Sequence, residues 1–393
     1  MSIPARKLRQ LALSQNWPIL VSVGILSCLG VLTLWSDDPS AGQKQLIFFV
    51  IAAGCMAAFQ AVDYRIIGKY AGWFYIGSAL LIMYTVLGSM LGGVPGVSKR
   101  NGAFNWIDFG PLALQPAELM KVAFVMVMAR YLRFRSNYRT LQGLVPPFLL
   151  AAFPIVLILK QPDLGTALVF IPTLFAMLFI AGARLKHLLG VVGMGVALLP
   201  LIWLSGLPGV PVFEHLPSIV KEYQRDRVYA MFSNDPDVES IGTGMQQYRA
   251  LVAMGSGGLF GKGIGEIQAG ERVPERRNDM IFALIGEQFG FIGSFVVIAA
   301  YLVIIFVGLE IAGSTREPFG RLVAVGIITL LAGQTFINLM VATKLMPVTG
   351  VTLPFVSSGG SSLIASFMII GLLINIGQRR PIVMGDEAFE FRD

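Results

Sequence analysis

Charge is scarce in this chain. Of 393 residues only 13% are Asp, Glu, Lys or Arg, against about 25% in an ordinary soluble domain. Cysteine and histidine are scarcer still, at two residues each. Cys28 and Cys55 both lie inside apolar runs, which excludes a disulfide framework or a Cys-based metal site. His187 and His215 stand near no serine and acid that could complete a hydrolase triad. There is no internal repeat and no low-complexity tract. The formal net charge of +7 comes from basic residues scattered among loops, a distribution that argues against nucleic acid as a partner. What fills the chain is apolar: hydrophobic residues make up 55% and the mean hydropathy is +0.71. That balance predicts an all-α polytopic membrane protein.

A spanning helix needs about 20 mostly apolar residues. Ten stretches qualify: roughly 17–35, 46–62, 70–92, 116–133, 145–160, 163–183, 187–206, 284–312, 320–342 and 361–377. Only Gln161-Pro162 separates the fifth from the sixth, which leaves both a tight hairpin and one broken pair open. The basic N-terminus MSIPARKLRQ precedes a run long enough to span and without a clear small-x-small cleavage site. It reads as a first span, not a cleaved leader. With that end cytoplasmic, Arg6, Lys7, Arg65, Lys69, Arg130, Arg133, Arg184, Arg316 and Arg379 share its side. The short loops opposite hold only Lys44, Lys99, Arg100, Lys160 and Lys344. The positive-inside rule then places both termini in the cytoplasm. The expected organisation is a single transmembrane domain over 1–383 and a cytoplasmic tail over 384–393. One long extracytoplasmic loop, about 207–280, joins spans seven and eight, and loops of that length usually carry function.

Several stretches carry chemistry. QPAELMK opens the fourth span with Pro116 at a first helical turn. Glu118 and Lys121, three apart, share one helix face, and charges within spans commonly mark a pathway. In KQPDLGTA, Asp163 precedes an apolar helix and is suited to cap it. MGSGGLFGKGIG at 254–265 lacks the lysine–hydroxyl pair of a phosphate loop, so its glycines point to close backbone packing. Lys262 within it could face a pyrophosphate or solvent. PVTGVTLPFVSSGGSS at 347–362 must be an ordered turn or re-entrant segment, since irregular backbone cannot face lipid. VPERRNDMIFALIGEQFG places Asp279 at the mouth of the eighth span, with Arg276 and Arg277 before it and Glu287 two turns further in. Local chemistry leaves Asp279 level between a helix cap and a catalytic carboxylate.

Together these motifs resemble the SEDS family of polytopic peptidoglycan glycosyltransferases. NGAFNW and QPAELMK are similar to the family's N-G-A-x-R-W and Q-P-S-E-x-x-K, and KQPDLGTA at 160–167 matches without a change. Tyr223, Gln224 and Arg227 match Y-Q-x-x-R, residues 255–263 match G-S-G-G-x-x-G-K-G, and 274–282 match P-E-R-x-x-D-x-I-F. Residues 347–362 match the family's P-V-T-G and S-x-G-G-S-S turn, and PVTG itself resembles the elongation branch. The resemblance implies polymerisation of lipid II at the outer face of the bacterial cytoplasmic (inner) membrane, during cell elongation and shape maintenance. It implies Asp279 as general base, with Glu118, Lys121, Asp163, Arg227, Lys262, Arg276, Arg277, Ser357 and Ser358 toward substrate. Cations, or a bound divalent ion such as Mg or Mn, would stabilise the leaving undecaprenyl pyrophosphate. The implied partners are lipid II, membrane lipid and a class B penicillin-binding protein that cross-links the strands. The chain departs from the pattern at Asn105 (usually Arg), Arg277-Asn278 (His-Thr), Arg249-Ala250 (Gln-Ser), Lys344 (Gly) and Ser358 (Tyr).

Three other functions fit the same spans. A flippase for lipid-linked precursors would place its site near the midplane, with Glu118, Lys121 and Glu287 as its polar groups. A division-type polymerase would share the chemistry and differ in setting. A non-catalytic scaffold for a penicillin-binding protein would reduce Asp279 to a cap.

Overall fold

The computed structural model describes residues 16–100, 103–110, 112–135, 137–207, 215, 217–218, 220–232 and 242–379. The expected tail at 384–393 lies outside the described residues. Among the described residues thirteen α-helices run in the order α1 (Trp17–Asp37), α2 (Pro39–Ala61), α3 (Tyr64–Lys69), α4 (Ala71–Leu91), α5 (Pro116–Arg133), α6 (Val145–Lys160), α7 (Leu164–Ala181), α8 (Leu185–Leu204), α9 (Glu222–Phe232), α10 (Gly242–Ser256), α11 (Ile281–Ser314), α12 (Pro318–Ala342) and α13 (Gly360–Arg379). Among the described residues nine of them, α1, α2, α4, α6, α7, α8, α11, α12 and α13, are long and apolar enough to cross a membrane. The one expected span outside these nine is the fourth, α5, which carries Glu118, Lys121, Arg130 and Arg133. It is a helix at the expected place, and it lies inside the bundle, buried from Pro116 to Val125 apart from half-buried Leu119.

Burial sorts the helices into layers. Residues Gly360–Gly377 of α13 are almost all buried, and α12 is buried over most of its length. A helix apolar on every side belongs at the centre of such a fold, and α13 packs most extensively against α2. At the other extreme, Leu188 is the one buried residue of α8 among those described. Exposed Leu, Ile, Val and Phe side chains on the outer helices are the face a bilayer would cover. The turn after α6 is a tight hairpin, because α6 and α7 pack directly on each other.

Local chemistry explains where the helices begin. Asp38 accepts from the Ser40 N–H at 2.9 Å and Pro39 occupies the first turn, so α2 starts at residue 39, earlier than its apolar run. Its polar opening turns therefore face the site described below. Asp163 caps α7 through Thr166 N–H at 3.0 Å, and Glu317 caps α12 through Gly320 N–H at 2.6 Å. Such caps satisfy backbone donors that a helix start leaves without partners.

Two features were not expected from the apolar pattern. Between α4 and α5 lies an antiparallel sheet of β1 (Val97–Arg100), β2 (Ala103–Phe109) and β3 (Leu112–Leu114), with Ile107 paired to Val97 on one side and Leu114 on the other. Helix α11 is also broken: Gly290 has φ 66° and ψ −158°. The glycine-rich segment after α10 stitches that break. Lys262 N–H and Gly263 N–H donate to the Glu287 and Gln288 carbonyls, while Phe291 N–H and Ile292 N–H donate to Gly258 and Leu259. A Cβ on Gly257 would stand 2.0 Å from the Gly286 oxygen, and one on Gly290 would stand 2.3 Å from the Gly261 nitrogen. These glycines serve close backbone approach, as their spacing suggested.

Candidate active site

A cavity of about 990 Å3 opens where the α1–α2 corner, the sheet, the α6–α7 turn, α9, α10 and the segments before α11 and α13 converge. Asp279 and Asp163 both line it, together with Arg227 from α9, Arg277, and Ser358 from the 347–362 turn. The expected site residues at 163, 227, 277, 279 and 358 are thus brought to one place from well-separated parts of the chain.

Asp279 is 4% exposed. The cap residue of α11 is Met280, and no side chain caps that helix. Asp279 is therefore held by its backbone: Asn338 of α12 donates to its carbonyl at 2.8 Å and to the Val351 carbonyl at 2.7 Å. The preceding residues are pinned as well. Ser357 donates its hydroxyl to the Asn278 carbonyl at 2.5 Å, and Ser358 N–H reaches the Arg277 carbonyl at 2.8 Å. The carboxylate is left to face the cavity, with Gln246 Nε2 3.5 Å from Oδ1. Burial, reinforced by the charge of Glu275, pushes its pKa up to about 7, against the weaker pull of backbone N–H groups and Arg227.

Asp163 stands across the cavity. Its carboxylate accepts from Thr166 N–H and Oγ1 at 3.0 and 2.9 Å and from Gln115 Nε2 at 3.2 Å. Burial raises its pKa, with Glu118 adding to the rise, while the Thr166 bonds and Lys121 oppose it. Glu118 and Lys121 do not line the cavity. They form a buried ion pair at 2.8 Å, each 4% exposed, and Lys121 Nζ also donates to Gln334 Oε1 at 3.0 Å.

Three expected substrate contacts are engaged elsewhere. Lys262 Nζ lies 2.6 Å from Glu287 Oε1, outside the cavity lining. Glu287 is fully buried and also accepts from the Gln268, Ala269 and Gly270 N–H groups at 3.1, 2.9 and 2.6 Å. That carboxylate thus organises the loop and draws Lys262 away from any pyrophosphate in the cavity. Arg276 pairs with Asp37 and with the Glu271 carbonyl, and Ser357 is buried against backbone. Glu287 and the Glu118–Lys121 pair have separate partners, so no shared midplane site forms from the three.

With this geometry in place, the chain can be compared with known proteins. Residues 12–381 match the FtsW/RodA/SpoVE profile, described as "Cell cycle protein". The chain belongs to the FtsW/RodA/SpoVE family. Stage V sporulation protein E of Bacillus subtilis (strain 168) is 34% identical, over 92% of this chain and 94% of its own. The probable peptidoglycan glycosyltransferase FtsW of Geobacter metallireducens (strain ATCC 53774 / DSM 7210 / GS-15) is 33% identical, over 92% and 94%. A chain from a solved peptidoglycan synthase complex superimposes with a TM-score of 0.76 at 27% identity, covering 94% of this chain and 99% of that one.

Within this family member, several residues that build the site carried no local signal in the sequence. Gln246 and Asn338 reach Asp279 from 33 and 59 positions away. Asp38 and Lys44 sit on the opening turns of α2 and line the cavity. Arg100 and Asn105 line it together from adjacent strands, so β1 brings a cation beside the position where Asn105 departs from the family pattern. Arg100 is paired with Asp108 at 2.6 Å and lies 5.5 Å from the centre of the Trp106 ring.

Proposed function

We propose that this protein is a peptidoglycan glycosyltransferase that polymerises lipid II at the outer face of the cytoplasmic membrane. Asp279 carries the reading: a deeply buried carboxylate in a large polar cavity, with a pKa of about 7. A general base works best when its pKa lies near the working pH. The relatives support the same reading, since the FtsW relative is named for that activity.

In the proposed reaction the 4-hydroxyl of an acceptor GlcNAc attacks the anomeric carbon of a donor MurNAc. Asp279 takes the hydroxyl proton as the new C–O bond forms. The bond to the pyrophosphate oxygen breaks on the opposite face, inverting that carbon, and undecaprenyl pyrophosphate leaves. Arg227 supplies positive charge in the same cavity, and preorganised cations favour a developing anion. Asp163, fixed by Thr166 and Gln115, is positioned to hold sugar hydroxyls. The Glu118–Lys121 pair acts on Asp163 only through its charges, Glu118 raising and Lys121 lowering the pKa of that carboxyl. Among the described residues no three Asp, Glu, His or Cys side chains cluster as a metal cage. A divalent ion would therefore depend on substrate phosphates for much of its coordination, and no step is routed through one.

The PVTG turn at 347–350 supports an elongation role, with a class B penicillin-binding protein as partner. The likeness to a chain of a solved peptidoglycan synthase complex, over 94% of this chain, supports such an assembly. Depletion in a rod-shaped host that rounds cells, without producing division-blocked filaments, would match elongation. The decisive assay is polymerisation of purified lipid II with the partner present. Asp279→Asn and Asp279→Ala are each expected to lose about 100-fold or more in rate, and full activity in both would overturn the assignment.

A further inference from the structure

Neither arginine before Asp279 has an unoccupied guanidinium. Arg276 Nη2 lies 2.9 Å from Asp37 Oδ1, and Arg277 Nε pairs with the other oxygen of the same carboxylate. Arg277 Nη1 also reaches Asp38 Oδ2 at 2.9 Å. The two acids differ in setting. The Asp37 side chain is 2% exposed and lies behind the cavity, whereas Asp38 is 31% exposed and lines the cavity with Arg277. Asp38 also has a second task, because its Oδ1 accepts from Ser40 N–H and caps α2.

We propose that Arg277 grips the diphosphate of the substrate, that Asp37 positions it, and that Asp38 is a built-in competitor for its Nη1. The identity of the anion rests on the glycosyltransferase reading; the arrangement of the three side chains does not. Asp37 cannot release its partners without stranding buried charge, so its bond to Arg277 is permanent. The Asp38 contact is half-exposed and screened, and such pairs contribute little. When Arg277 Nη1 turns to another anion, Asp38 keeps its cap bond to Ser40. A diphosphate offers more negative charge and several acceptor oxygens in the geometry a guanidinium matches. The exchange breaks no covalent bond. It lets the empty site hold its arginine aligned and neutralised beside Asp279.

The two neighbouring acids should therefore act in opposite directions. The test is a direct titration of the full-length protein in detergent with undecaprenyl pyrophosphate, which needs no turnover. Asp38→Asn retains an effective cap and is expected to bind roughly two- to five-fold tighter. Arg277→Gln is expected to weaken binding by about ten-fold or more, and Asp37→Asn to weaken it as well. Asp37→Glu, which keeps the charge, should recover part of that loss. The double variant Asp38→Asn/Arg277→Gln should bind no tighter than Arg277→Gln alone, since the competitor acts only through that guanidinium. Unchanged or weaker binding in Asp38→Asn, or tightening that persists in the double variant, would overturn the proposal even if Asp37→Asn failed to fold. Lipid II polymerisation by the same preparations separates the two readings. Wild type that shows this binding pattern without polymerising removes the enzyme assignment and leaves the Arg277 switch standing.

Discussion

A carboxyl group with a pKa near 7 gives Asp279 a pH dependence of definite sign. The base is competent only when deprotonated, so the polymerisation rate should fall as pH drops below about 7, with its acid limb set by this residue. A pH–rate profile that stays flat from pH 8 to 5 would contradict that role. The same group affects stability in the opposite sense to activity. Its folded pKa is raised above the ordinary 3.8, so the folded state holds more protons than the unfolded one across the window between about 4 and 7. Stability contributed by this residue is therefore present at low pH and lost as pH rises through 7. Asp279→Asn should melt above wild type at pH 8, by about 1–4 kcal/mol, with the gap closing toward pH 4. A variant equally stable at both pH values would show the carboxylate to be solvated. At this scale the acid itself was legible, because a charge entering an apolar run is conspicuous. Its holders were not: Asn338, Gln246 and the Asp37–Arg277 pair meet across 59, 33 and 240 positions, and only the fold creates those contacts.

At the level of elements, the hydropathy pattern located the nine described helices that are long and apolar enough to span, because burial in protein and burial in lipid both select the same side chains. It could not rank them. Helix α8 faces outward and α13 is enclosed, yet both are simply apolar in sequence. The sheet before α5 escaped notice because its strands are short and its alternation is only partly buried. The stitched break in α11 makes its own prediction. Glu287→Gln should destabilise the protein by about 3–5 kcal/mol, since it removes the buried charge that pairs with Lys262 and turns one acceptor oxygen into an NH2 facing N–H donors. Lys262→Ala leaves the three amide bonds to Glu287 and should cost only about 1–2 kcal/mol, with KM for lipid II little changed. Thermal melting and substrate titration check the pair. A large KM effect in Lys262→Ala would return that lysine to the substrate site.

For the whole molecule, sidedness is testable by chemistry. Phe260 and Phe134 are 77% and 69% exposed and lie on opposite predicted sides. With Cys28 and Cys55 replaced, Phe260→Cys should react with a membrane-impermeant maleimide from outside intact cells. Phe134→Cys should react only after the membrane is opened. The reverse pattern would invert the topology and put the cavity in the cytoplasm. The positive-inside bias is what predicts this orientation, whereas hydropathy offers no prediction of the cavity's depth, because it cannot say where a helix stops being wet.

The break at Gly290 supplies that depth. Glu287 and the amides bonded to it are enclosed by protein, while Phe291, Ile292 and Phe295 are exposed as lipid-facing side chains would be. With a bilayer surface near residue 290, the 24 residues from Phe291 to Ser314 would cross about 36 Å by themselves. The nine residues Ile281–Phe289 then act as a pedestal about 14 Å tall, with Asp279 at its top. A membrane-anchored molecule entering from the bilayer would have to extend past the foot of that pedestal to bring its diphosphate to Arg277 and its first sugar to the carboxylate at the top. Helix α11 is in this sense a ruler, and the position of its glycine determines which bond of a tethered substrate comes within reach.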